Sequence, residues 1–464
     1  MTTAQPILLT DEQMKQFITD GFLILKTDFP REFHARLVEQ LNAIYDQEGN
    51  PGNNILPRIR DLQRVFENPV ITGALTSVLG PNYLLHTHRH GHYNSVPKPG
   101  GWHKDSYWGY GRLRNHHPWW AMIMYFPQDT PIELGPTGVM PGTQYQDGRN
   151  FVSDETPEEA TAKGEAGTFA LIHYDIWHRS TPNLLGQPRF MLKFEFMRTQ
   201  APESPTWDNK EQSWAAVQGK DGKNDPIGEE MWNWLSGRTA SLAGTKAGDP
   251  EEIAALSARL TGSEEPDALN AAYELATRGE AGVQALLSAL QLEKRESRIA
   301  SYGLSAAGEG AVEGLIQALG HEEEHVVNHA VFALGELRDC AERAIPQIAD
   351  LLAHPSVKVR RSVIDALGIC GGDASLVVPA LIKGLQDEDT QVRFTSGLSL
   401  VRIGPKAAEA VPALAQSLEH ENRYVRGHAL EALRYIGTKE AHEVLLHELF
   451  NTRWCSDTTP ASTF

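Results

Sequence analysis

The sequence predicts a two-part chain: a helix-led antiparallel β domain followed by an α-solenoid. Three observations predict it. Short β-branched and aromatic runs bounded by Gly and Pro fill much of the chain before about residue 200. Beyond residue 312 a unit of 33 residues repeats. At 464 residues the chain is also too long for one ordinary domain.

The elements follow in order. "TDEQMKQFITDGF" opens a helix, with Thr10 as N-cap and Gln13 three residues later, a capping-box pattern. "REFHARLVEQLNAIYDQ" has amphipathic helical spacing. "LLHTHRHGHYN", "GTFALIHYDIW" and "RFMLKFEFM" read as strands. After residue 200 comes a Trp-rich extension, and Trp207, Trp214, Trp232 and Trp234 are expected to pack it on the first domain. A Gly/Ser/Thr stretch then serves as a linker. The expected boundaries are 1–240 for the first domain, 241–280 for the linker and a leading helix, 281–450 for the solenoid and 451–464 for a tail.

The repeats start at Val312, Ile345, Val378 and Val411. Pro346, Pro379 and Pro412 fall in register, at the first turn of a helix where a missing N–H costs nothing. Val326, Val359, Val392 and Val425 also align, and Arg360, Arg393 and Arg426 follow the last three. Those arginines are expected to join turns within the solenoid. One helix pair cannot bury its own apolar face, so neighbours must stack.

Composition narrows the function. The formal net charge of −18 argues against a nucleic-acid surface. No window approaches a membrane span, and the N-terminus lacks a signal-peptide pattern. Cys340, Cys370 and Cys455 are widely spaced and odd in number, as free thiols of a reducing compartment would be. A cytoplasmic location is the expectation.

The chemistry centres on "PGGWHKDSYWGYG". On an extended segment His103 and Asp105 point to one face, so both can reach one ion. His178 in "YDIWHRSTPN", 73 residues after Asp105, is the candidate third ligand. Two histidines and one carboxylate match the facial triad of non-haem Fe(II) oxygenases, which leaves positions open for cosubstrate and O2. Arg189, eleven residues after His178, offers a guanidinium for a paired contact to a carboxylate such as the distal one of 2-oxoglutarate.

With these residues in place, "GFLIL", "LPRIRDL", "VLGPNYLL", "WHKD", "ELGPTGVMPGTQ" and "WHRSTPN…QPR" together resemble the phytanoyl-CoA dioxygenase family over residues 10 to 205. Gln144 stands where that family often has His. The resemblance implies a double-stranded β-helix, or jelly roll, with flanking helices. It implies Fe(2+) held by His103, Asp105 and His178, and 2-oxoglutarate held by Arg189 with help from Ser180. It further implies O2 as oxidant, ascorbate as an accessory reductant, and hydroxylation of a small-molecule substrate. Halogenating relatives lack the carboxylate found here as Asp105. The repeats resemble short HEAT repeats of the phycobilisome-lyase type, which implies a protein-interaction scaffold rather than lyase chemistry. The alternative is an inactive oxygenase fold serving as a scaffold.

Several residues keep two readings. His86, His88, His90 and His92 fall on one strand face and are expected to line the cavity rather than hold a second metal. Of this strand, His88, His90 and Asn94 are expected to touch ligand, and His90 and Asn94 are assigned to cofactor binding. Tyr107, Trp108, Tyr110, Arg112 and Arg114 suit either a substrate lid or aromatic packing. Arg58 and Arg60 suit an anionic substrate or structural salt bridges. His116 and His117, before Pro118, are expected in a surface turn.

Overall fold

The structure, a computed structural model, describes residues 5–105, 113–151, 156–215 and 225–452. The chain divides into two compact units. One is built mainly from the residues before 107 and from 114–238, the other mainly from 267–464.

The first unit opens with helix α1 (Asp11–Asp20). Thr10 Oγ1 accepts the Gln13 N–H and Gln13 reaches back to the Thr10 amide, so the capping box forms as the sequence predicts. Strand β1 (Phe22–Lys26) and helix α2 (Arg31–Glu48) follow. Three more helices, α3 (Ile55–Arg58), α4 (Asp61–Phe66) and α5 (Pro69–Leu79), lead into the sheets. The remaining strands are β2 (Leu84–Asn94), β3 (Trp120–Tyr125), β4 (Thr137–Val139), β5 (Ala160–Thr161), β6 (Thr168–His173), β7 (His178–Ser180) and β8 (Arg189–Met197).

They form two antiparallel sheets, ordered β1-β6-β3-β8-β2 and β5-β4-β7. This is the β-rich oxygenase-type architecture that the resemblance implies. Strands β3, β6 and β8 are buried along their whole length. The even face of β8 explains half of that burial: Phe194 meets Phe66 of α4 with ring centroids 4.4 Å apart, and Phe190 meets Tyr45 of α2 at 5.2 Å. The odd face, from Arg189 to Glu195, is left to line the interior.

Helix α6 (Asp225–Leu235) carries the Trp-rich extension onto this unit. Trp207 and Trp232 contact each other at 5.1 Å, and Trp234 stacks on His117 at 4.5 Å. That packing corrects the surface-turn expectation for His116 and His117. Both are buried, at 3% exposure. His116 Nε2 lies 2.9 Å from the Tyr145 carbonyl and His117 Nε2 lies 3.3 Å from Glu230 on α6. A polar pair covered by a distant helix is stable once each ring has a partner. Arg58 pairs with Glu48 at 3.1 Å, the salt-bridge reading of the two open to it.

Among its described residues the second unit forms only helices and turns. Its first two helices, α7 (Pro250–Leu260) and α8 (Glu265–Ala276), occupy part of the expected linker region and precede α9 (Gly279–Leu290) and α10 (Lys294–Ala306). The repeats then supply α11 (Val312–Ala318), α12 (Glu324–Leu337), α13 (Ile345–Asp350), α14 (Val357–Cys370), α15 (Ala374–Gly384), α16 (Thr390–Ile403), α17 (Val411–Ser417), α18 (Arg423–Ile436) and α19 (Lys439–Thr452). Val326, Val359, Val392 and Val425 are buried in register. Contacts recur one repeat apart: Lys358 with Glu324 at 3.2 Å, His428 Nδ1 with the Phe394 carbonyl at 2.8 Å. Arg360 bridges to Asp387 at 2.8 Å and Arg426 donates to the carbonyls of His420 and Glu421, so these arginines do tie turns together.

One proline departs from the expectation. Pro379 sits inside α15 rather than in its first turn. Gly371 and Gly372 adopt φ of 69° and 60°, and Asp373 caps the helix through the Ser375 N–H, so α15 begins early. Among the described residues no helix is long and apolar enough to cross a membrane.

Candidate metal centre and carboxylate pocket

The segment from Gly100 to His103 runs beside β7. Gly100 N–H donates to the Ser180 carbonyl at 2.9 Å, and His103 and His178 exchange both backbone hydrogen bonds at 3.0 Å. Such a pair stands directly opposite across two antiparallel strands, which places the two rings 4.4 Å apart. Ser180 Oγ also accepts the Gly100 N–H at 3.1 Å. A Cβ at Gly100 would come within 2.7 Å of that oxygen, so the close approach needs glycine.

Asp105, two residues on, shares the face of His103. Its Oδ2 lies 3.4 Å from His178 Nε2. One ligand atom from each of His103, Asp105 and His178 lies within 4.8 Å of the other two. The imidazoles are oriented from behind. His103 Nδ1 lies 2.9 Å from the Gly101 carbonyl and His178 Nδ1 lies 3.1 Å from the Ile176 carbonyl. An N–H donated there leaves the Nε2 of each ring available to a metal, the tautomer a metal requires. Burial, then the neighbouring His178, lowers the His103 pKa and keeps the ring neutral. Burial works against ionisation of Asp105, but His178 and Lys193 beside it hold its carboxyl well below the usual range.

Two cations brace the ligand loop. Lys104 points away from the centre and donates to the carbonyls of Thr143, Gln146 and Asp175 at 2.9, 2.5 and 2.5 Å. Arg114 donates to the Asp105 carbonyl at 3.1 Å and to Asp175 Oδ1 at 2.5 Å. Tyr107, Trp108, Tyr110 and Arg112 of the expected lid lie outside the described residues.

The odd face of β8 continues the site. Lys193 Nζ is 3.0 Å from Asp105 Oδ2, which fixes that face as the one towards the centre. Arg189 lies on the same face and is 2% exposed. Its Nε and Nη1 are buried without a hydrogen-bond partner, and burial pulls its pKa down to about 10. Asn94 stands opposite Arg189 in the ladder, and His92 stands opposite Met191. Asn94 Nδ2 and His92 Nε2 are likewise buried without a partner. A buried cation that has no counter-charge among the described residues, with two further open nitrogens, suits an incoming carboxylate.

Of the residues expected to touch ligand, His90 stands opposite Lys193, with Nε2 3.5 Å from Asn50 Nδ2. The His row does not keep a simple period of two, because the pairing register shifts between Leu85 and Arg89. His86 is fully buried against Glu195. Among the described residues only His103, Asp105 and His178 form a cluster with metal-ligand spacing. Gln144 donates to the Ile18 carbonyl at 2.9 Å and anchors the loop to α1. Sequence reasoning missed Lys193 and Glu195. The signal was present: in "RFMLKFEF" the polar residues alternate with Phe and Leu, which puts them on one face of a strand.

Two family models match parts of the chain. The family model described as phytanoyl-CoA dioxygenase (PhyH) matches residues 20–191. The model described as HEAT repeats matches residues 312–378 and 378–453. No curated protein matches the chain. Among solved structures, the non-haem monooxygenase ThoJ in a nickel complex is 19% identical, with 45% of this chain and 87% of that chain covered and a TM-score of 0.33. The non-haem α-ketoglutarate-dependent carbocyclase SnoK, from nogalamycin biosynthesis, is 14% identical, covering 42% of this chain and 88% of its own, with a TM-score of 0.35. HygX from Streptomyces hygroscopicus, with nickel and 2-oxoglutarate bound, is 15% identical, covering 46% and 94%, with a TM-score of 0.34. The protein therefore carries a phytanoyl-CoA dioxygenase family domain over residues 20–191, joined to HEAT repeats over residues 312–453.

Proposed function

We propose that the first unit is an Fe(II)- and 2-oxoglutarate-dependent dioxygenase that hydroxylates a small-molecule substrate, and that the HEAT repeats bind a protein partner. The observation that carries this is the Arg189 guanidinium, buried with open nitrogens on the face that Lys193 shows to look towards the His103–Asp105–His178 cluster.

In this reading His103, Asp105 and His178 hold ferrous iron. Two neutral nitrogens and one carboxylate suit that ion, and the set leaves half of an octahedron open. The bound iron supplies activation of O2, coupled to decarboxylation of 2-oxoglutarate to succinate and CO2. The chain's own residues do the rest. Arg189 and Asn94 grip the distal carboxylate and fix the direction in which the cosubstrate lies. Ser180, tied to Gly100, keeps the ligand segment against β7. Lys104 and Arg114 hold Asp105 in place from the loop side.

The test is succinate formation from 2-oxoglutarate with Fe(II), ascorbate and a metabolite library, against an Asp105→Ala control. Metal-dependent succinate in the native protein alone supports the assignment. No metal-dependent turnover with any candidate would overturn it.

A further inference from the structure

The two segments that carry the candidate ligands also share a loop that supplies none of them. Among the described residues the backbone pairing between the segments ends at His103 and His178, and Asp105 lies two residues beyond it. Past that point a side chain takes over. Lys104 faces away from the cluster, because side chains alternate along an extended segment. It is 4% exposed, and its Nζ donates to the carbonyls of Thr143, Gln146 and Asp175 at 2.9, 2.5 and 2.5 Å. An ammonium has three N–H groups, and three carbonyls receive them. The same nitrogen lies 5.7 Å from the centroid of the Trp177 ring.

The third ligand is fixed from the same loop. Trp177, directly before His178, donates its backbone N–H to Thr143 Oγ1 at 3.2 Å and its indole N–H to the Gly148 carbonyl at 3.1 Å. The Trp177 carbonyl accepts the Met140 N–H at 2.9 Å. The Thr143 hydroxyl in turn donates to the Met140 carbonyl at 2.7 Å. Thr143 thus meets both sides. Its carbonyl takes Lys104 from the segment of His103 and Asp105, and its hydroxyl takes Trp177 from the segment of His178. Gln144, next in the loop, is held to the Ile18 carbonyl of α1.

We propose that Lys104 and Thr143 are positioning residues of the metal centre, and that together they set the place of Asp105 relative to the two histidines. This rests on His103, Asp105 and His178 being metal ligands. The ammonium does for Asp105 what a further pair of backbone hydrogen bonds does inside a ladder. It joins its segment to Asp175, three residues before His178, through a bond strengthened by charge. The loop from Thr143 is the spacer between the two segments. With either contact removed, Asp105 and His178 are no longer held in place before the metal arrives. Affinity then falls, because the metal must order its own ligands.

The experiment is titration of the full chain with Co(II), followed by its visible absorption, for the native protein, Lys104→Met, Thr143→Val and Thr143→Ser. Phe66→Leu, which loosens packing on the face of β8 turned from the cluster, is the control for lost stability. Lys104→Met should bind Co(II) about 10- to 100-fold more weakly and with altered absorption bands, the scale on which outer partners of metal ligands act. Thr143→Val keeps the shape without the hydroxyl and should weaken binding by roughly tenfold. Thr143→Ser keeps the hydroxyl and should bind as the native protein does. Phe66→Leu should melt at a lower temperature and bind unchanged. Native affinity and bands in either Lys104→Met or Thr143→Val overturn the inference and leave the triad standing. So does Thr143→Ser as weak as Thr143→Val, or equal weakening by Phe66→Leu. If Lys104→Met fails to fold, the two Thr143 variants decide alone. Absence of Co(II) binding by the native protein overturns the triad reading as well.

Discussion

Replacing Arg189 by Met should separate stability from function. The guanidinium is 2% exposed and, among the described residues, has no carboxylate beside it. The fall from 12.5 to about 10 means that the fold holds this charge at a cost of about 3 kcal/mol before any ligand arrives. Met keeps much of the volume and carries no charge. It forgoes the contact with the Phe126 ring at 5.9 Å, which offsets part of the gain. Without ligand, Arg189→Met should therefore be between neutral and about 3 kcal/mol more stable, a rise of roughly 0–10 °C in the melting of the first unit. With 2-oxoglutarate the order reverses. Even one charged hydrogen bond, at about 1.5–3 kcal/mol, predicts roughly 10- to 150-fold weaker cosubstrate binding. The assay is thermal melting with Mn(II), with and without 2-oxoglutarate, read beside the KM for 2-oxoglutarate. A variant that melts several degrees lower without ligand, yet keeps the full ligand-induced shift, would refute the carboxylate pocket.

The other predictions follow the same logic. His103→Ala and His178→Ala should each bind Co(II) more than about 100-fold more weakly while keeping the native circular dichroism, because the rings sit at the end of backbone pairings that the substitution leaves intact. Trp234→Ala should cost about 3–5 kcal/mol in urea melts, since the ring is fully buried between His117 and Trp119. His173 is buried and held down to about 4, so the unfolded chain takes up its proton first as pH falls below 6.5. Its contribution is present above pH 6.5 and is lost progressively towards pH 4. His173→Gln should therefore remove about 2 kcal/mol of the stability lost between about pH 6.5 and 5, as measured by urea melts at both pH values. In the solenoid, Gly335→Ala should destabilise by about 1–2 kcal/mol despite the better helix former, because the added Cβ would lie 2.9 Å from Ala366 Cα on the next repeat. A melting curve of the full chain checks it.

What the sequence determined by itself is local or periodic. The capping box at Thr10, the strand spans of β2 and β8, and the 33-residue register of Val326 to Val425 all depend on neighbours a few residues away or on a repeated spacing. The same holds for half of the candidate site: His103 and Asp105 share a face because strands alternate. The tertiary structure decided the rest. It set His178 opposite His103 through hydrogen bonds 75 residues apart in sequence. It also buried His116 and His117 under a helix that begins about a hundred residues later, at Asp225. Glu195 shows the reason most plainly. Burial raises its pKa, and no window of sequence contains the elements that exclude water from it.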